Sequence, residues 1–123
     1  MQLILYMNLA DYSFSRNEDT TAVSEESDRM YEVMQLWQQD MILRGLTSGT
    51  IRQYGHELKQ LIIYAGVSPL EMSEYHIKNY LAFGKIRRKW KDKTYNSKIR
   101  SLKSFFVWAV ENKEMAENPM KNI

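Results

Sequence analysis

The chain has 123 residues, is 44% apolar and nets only +2 at neutral pH, which bounds it to one globular domain with a core of ordinary size. It has no Cys, and its two His, His56 and His76, stand far apart, so a disulfide framework, a thiolate metal site and His-pair metal ligation are excluded and no cofactor is expected. No apolar run approaches the roughly 20 residues of a membrane-crossing helix, and the start lacks a basic segment and a cleavage site, so a cytoplasmic protein with no membrane partner is expected.

Residues 1–27 differ in composition from the rest. They carry one base, Arg16, against five acids, Asp11, Glu18, Asp19, Glu25 and Glu26. From Ser13 to Ser27 the residues are mostly polar and lack a helical apolar period, so a disordered tail is expected. Leu3 to Met7 is a short apolar run that forms a strand, docks on a partner or simply frays; fraying is favoured.

A first helix is expected from about Asp28, capped by Asp28 or Ser27. Met30, Met34, Trp37 and Met41 recur at helical spacing, with Val33 and Ile42 beside them. This stripe reads as core or helix-docking surface. Gly45 followed by Leu46 signals the C-terminus.

A second helix follows, capped by Thr47 or Ser48. Ile51, Tyr54, Leu58, Leu61, Ile62 and Ala65 share one face. Ser48, Gly49, Arg52, His56 and Lys59 share the other, which is either plain solvated surface or a face for phosphates and bases, with Gly49 permitting close backbone approach. Gly66, Val67 and Ser68-Pro69 end this helix. A third starts at Ser73, with Ile77, Tyr80, Leu81 and Gly84 as its stripe and Phe83 and Ile86 flanking.

The third helix runs into the most lopsided stretch of the chain, Lys85 to Lys103. It holds nine cations (Lys85, Arg87, Arg88, Lys89, Lys91, Lys93, Lys98, Arg100 and Lys103) against one acid, Asp92. Its net is +8, so the remainder of the chain sums to −6. Such a block is a local electrostatic footprint whose natural partner is phosphate. Trp90, inside it, either anchors the loop in the core or lies against a sugar–phosphate backbone; the anchor is favoured.

A fourth helix is expected from Lys93 to Asn112. Tyr95, Ile99, Leu102, Phe106 and Ala109 form its apolar stripe, widened by Phe105 and Val110. The opposite side carries Lys93, Asn96, Ser97, Arg100, Lys103 and Ser104. Arg binds guanine edges bidentately and Asn binds adenine edges; Ser and Lys contact phosphates. A helix start carries outward N–H groups and partial positive charge, which also suit phosphate. A helix that enters a major groove by its N-terminal half needs this arrangement.

The run Leu46-Thr47-Ser48-Gly49-Thr50-Ile51-Arg52-Gln53-Tyr54, the run Thr94 to Ala109 and the terminal Asn118-Pro119 together resemble the N-terminal core-binding domain of tyrosine recombinases, the phage-integrase family. The resemblance spans about residues 28–123. It implies an all-α fold, a compact four-helix SAM-like bundle, preceded here by the disordered tail. It also implies that the second and fourth helices lie across a DNA duplex, which carries onto Ser48, Gly49, Thr50, Arg52 and Lys59, and onto Lys93, Thr94, Asn96, Ser97, Arg100 and Lys103. The basic connection adds Arg87, Arg88, Lys89 and Lys91 as candidate DNA contacts.

Members of that family also carry a catalytic domain with a cation constellation and a Tyr nucleophile. No such set can be assembled from the two isolated His and eight Tyr of this chain, so it is expected to be inactive by itself. The expected division is a flexible segment over 1–27, a DNA-binding domain over 28–117 and the start of a linker over 118–123. The resemblance implies double-stranded DNA and other recombinase protomers as partners. The family's usual Gly after the fourth helix is replaced by Lys113. The alternative function is a helical protein-interaction module whose basic patch meets an acidic partner protein. A helix-turn-helix regulator is a weaker third option, because neither a tight inter-helix turn nor a dimer seam is visible.

Overall fold

The computed structural model describes the backbone of residues 20–123 and side chains from Asp28 onward. Four helices follow in order, α1 (Thr20–Leu43), α2 (Ser48–Ala65), α3 (Glu74–Ile86) and α4 (Asp92–Glu111), with a short 3-10 turn at Pro69–Glu71 before α3. There is no strand among the described residues, so the all-α four-helix expectation holds. α4 touches each of the other three helices and packs most extensively on α2.

α1 starts earlier than expected, at Thr20 rather than near Asp28. No Gly or Pro stands between Thr20 and Gly45, so no breaker interrupts the helix across the polar run before Asp28. The rest of the tail expectation, including Leu3 to Met7, lies outside the described residues. The Met-rich stripe is core: Met30, Val33, Met34, Trp37 and Met41 are all fully buried. Gln38, on the flank of that stripe, is buried too. Arg29 reaches from α1 to Glu114, just past the end of α4.

The helix ends follow their local chemistry. Gly45 adopts φ 85° and Leu46 N–H donates to Met41 O, which closes α1 with the expected Gly-then-hydrophobe pattern. Thr47 caps α2, its hydroxyl oxygen accepting the Thr50 N–H at 3.2 Å. Ser73 N–H donates to His76 Nδ1 at 3.0 Å, so His76 serves the start of α3. All four residues of the expected α3 stripe are buried, and Ile86 is exposed.

The connection from α3 to α4 is pinned by Trp90. Its N–H donates to Gly84 O at 3.1 Å, and its ring meets Tyr80 edge-on at 5.4 Å. Gly84 is needed for that fit, since a Cβ there would lie 2.1 Å from the Trp90 ring. Trp90 is thus an anchor, and the exposed cations Arg87, Arg88, Lys89 and Lys91 are held on a fixed loop.

α4 buries Leu102, Phe105, Phe106 and Ala109 as its stripe predicts, and also Ser101 and Trp108. Its C-terminus closes through Lys113 at φ 60°, with Glu114 N–H donating to Ala109 O at 2.8 Å. Lys113 therefore takes the left-handed position that Gly usually fills. An L side chain is strained there, so Lys113→Gly is expected to raise stability by about 1 kcal/mol. Urea unfolding checks this: a higher midpoint is expected for Gly and no comparable gain for Lys113→Ala, which keeps the Cβ. Beyond the turn, Asn118 Oδ1 accepts the Met120 N–H at 2.8 Å, Met120 is fully buried, and Asn122 donates to Glu74.

Candidate nucleic-acid interface

One shared groove and two direct contacts join α2 to α4. Thr50 lines one groove with Arg100 and Lys103. Gln53 Nε2 donates to Ser97 Oγ at 3.3 Å. Lys98 Nζ lies 2.6 Å from Glu57 Oε2. Thr50, near the start of α2, thus lies level with the middle of α4, while Gln53 and Glu57 meet Ser97 and Lys98 nearer its start. Their outer faces form one surface.

On that surface α2 exposes Ser48, Gly49, Arg52 and His56. α4 exposes Lys93, Thr94, Asn96 and Arg100 over its N-terminal half. Ser97 and Lys103 are half-buried. Ser97 is tied to α2 through Gln53, while Lys103 lines the groove of about 510 Å³ beside Arg100 and Ser104. Lys59 is half-buried on the later part of α2. Arg87, Arg88, Lys89 and Lys91 are exposed on the stretch between α3 and α4 that leads into α4.

The N-terminus of α4 is suited to an anion. Its cap residue is Lys91, whose side chain makes no capping hydrogen bond. The first-turn N–H groups therefore keep their outward donors and partial positive charge. Asp92 partly offsets this.

The basic block is not uniform. Lys98 turns inward: the ion pair with Glu57 is largely buried, and its ammonium lies 5.1 Å from the centre of the Trp90 ring. Lys85 lies over Tyr95 at 4.2 Å, and the Arg88 guanidinium over Phe83 at 5.3 Å. These ring contacts hold the stems while leaving Lys85 and Arg88 exposed. Tyr80, buried in the same region, has its hydroxyl pushed up to about 12 by burial and then by the Glu57 charge. At the start of α3, hydrogen bonds from Lys78 and Asn122 lower the Glu74 carboxyl.

Two features escaped the sequence reading. Lys98 counts as one more cation in the primary structure, and its partner Glu57 is 41 positions away. Gln53 stands inside the motif after Leu46 but was not a candidate; only the contact with Ser97 singles it out. Among the described residues, no group of three or more His, Cys, Asp or Glu could hold a metal ion. Nor is any described helix long and apolar enough to cross a membrane.

A family model described as phage integrase, N-terminal SAM-like domain, matches residues 33–115. Nothing among curated proteins or solved structures matches the chain.

Proposed function

Since the chain belongs to the phage-integrase N-terminal SAM-like domain family, we propose that it is the DNA-binding module of a tyrosine site-specific recombinase. In this reading it holds duplex DNA for integration or recombination carried out with a catalytic domain and with other protomers on the same DNA. Its own residues bind and orient the duplex; the bond-breaking chemistry belongs to the catalytic partner domain.

The observation that carries this reading is the exposure of Arg100 and Asn96 on α4, beside an uncapped helix start and along the polar face of α2. Lys91, Lys93, Arg52, Ser48 and the loop cations Arg87, Arg88 and Lys89 are assigned to phosphates, with Gly49 and Thr50 at close backbone approach. Arg100 and Asn96 are assigned to base edges. Lys59, Thr94, Ser97 and Lys103 complete the surface.

The test compares two substitutions on the duplex that the chain enriches from a random pool and on unselected duplex. Arg100→Ala should cost about 1–3 kcal/mol on the enriched duplex and much less on the unselected one. Lys93→Ala should weaken both alike and reduce the salt slope by about 1. Equal losses on both duplexes for both variants would remove the base-reading role of Arg100.

A further inference from the structure

The Gln53–Ser97 hydrogen bond joins α2 to α4, and Gln53 directly follows Arg52, which is assigned above to phosphate. Gln53 is exposed, whereas Ser97 is half-buried and its backbone carbonyl accepts the Ser101 hydroxyl. Gln53 Nε2 donates to the Ser97 hydroxyl from the opposite helix at 3.3 Å. A free surface Gln samples many rotamers and pays conformational entropy to hold one geometry. Gln53 has part of that cost met before any ligand arrives.

One N–H of the amide is used by Ser97. Oε1 and the second N–H remain, and neither has another partner among the described contacts. An acceptor and a donor side by side on a planar amide match the N6–H and N7 of adenine in the major groove. Asn96 and Arg100 stand one and three residues from Ser97 on α4, and His56 stands one helical turn beyond Gln53 on α2.

We infer that Gln53 is a specificity-determining residue that reads an adenine, with Ser97 as the residue that positions its amide. The inference rests on the DNA-binding reading above and adds to it a named base and a named pair of side chains. Gln53 touches the base; Ser97 acts through Gln53.

The experiment is enrichment from a randomised duplex pool by the full chain, by Gln53→Ala, by the similarly sized Gln53→Met and by Ser97→Ala. The wild-type chain should enrich a motif with an adenine at one position. Both Gln53 variants should lose that preference by roughly 5- to 150-fold, the range of one bidentate contact, while the rest of the motif stays. Ser97→Ala should weaken the same position by a smaller factor and move no other. Replacing that adenine by 7-deazaadenine should weaken wild-type binding but leave Gln53→Ala unaffected. A pure inter-helix tether would instead lower the urea midpoint of the variants and leave base preference untouched. If the chain binds duplex with steep salt dependence but enriches no adenine that responds to Gln53, this inference alone is overturned. If it binds no duplex at all, the underlying reading falls and this falls with it.

Discussion

Lys98→Met is expected to lower the free energy of unfolding by about 3–5 kcal/mol, although it removes one charge from a crowded basic block. Elsewhere in that block, deleting a cation relieves repulsion. Here the Lys98 ammonium is 2.6 Å from Glu57 Oε2, and both side chains are largely buried, 15% and 8% exposed. Truncating one partner leaves the other charge desolvated and alone, which costs far more than an exposed pair is worth. Glu57→Leu should be similarly costly. The double variant Glu57→Leu/Lys98→Met removes both charges and should recover most of the loss. Urea unfolding of the four proteins at neutral pH gives the cycle; single-variant losses below about 1 kcal/mol would mean that the pair is effectively solvated. Tyr80 offers a second readout. The Glu57 charge contributes to holding its hydroxyl up to about 12, so Glu57→Leu should move its ionisation down toward the ordinary tyrosine range.

Phe105→Ala is expected to cost about 3–5 kcal/mol as well, by a different route. Phe105 is fully buried and is the hub of the aromatic core. Its ring meets Trp37 of α1 at 5.1 Å, and Phe106 and Trp108 of α4 at 5.2 and 6.0 Å. Losing it removes apolar burial and edge contacts and leaves a cavity that the surrounding rings cannot easily close. The substitution loosens α1 from α4 and so softens the scaffold under the exposed polar face of α4. Thermal unfolding by circular dichroism should show Tm lower by at least about 12 °C. A drop of only a few degrees would mean that the neighbouring rings relax into the space.

The contrast between these two positions shows what the primary structure could reveal. Phe105 lies on a stripe with helical period, and periodicity is a local property, so its burial was legible. The same holds for Tyr80, Leu58 and Trp37, and for the helix ends at Gly45, Thr47, Gly66 and Ser73, where one or two residues decide the backbone. Lys98 was not legible as buried, because its environment is made by Glu57 and Trp90 from other parts of the chain. Ser101 was not foreseen as core because its hydroxyl is satisfied by the Ser97 carbonyl one turn back, which lets a polar residue face the interior. The start of α1 lies in an acidic, Ser- and Thr-rich run without a helical apolar period, although no Gly or Pro breaks it. Lys113 shows a further limit, since only the backbone reveals that a lysine holds the left-handed turn.

For the interface itself, the exposed sides of α2 and α4 were readable as polar faces of two amphipathic helices. Their packing side by side was not, because it depends on tertiary neighbours of Thr50, Gln53 and Glu57. That packing brings Gln53 of α2 beside Ser97 of α4, next in sequence to Arg52 and Asn96.

The most direct test of this account is the affinity of the full chain for labelled duplex DNA across a series of salt concentrations. With about five phosphates neutralised by the α2–α4 face and the loop before α4, log K should fall against log salt with a slope near −4.5. A flat dependence, with affinity unchanged between low and high salt, would contradict it.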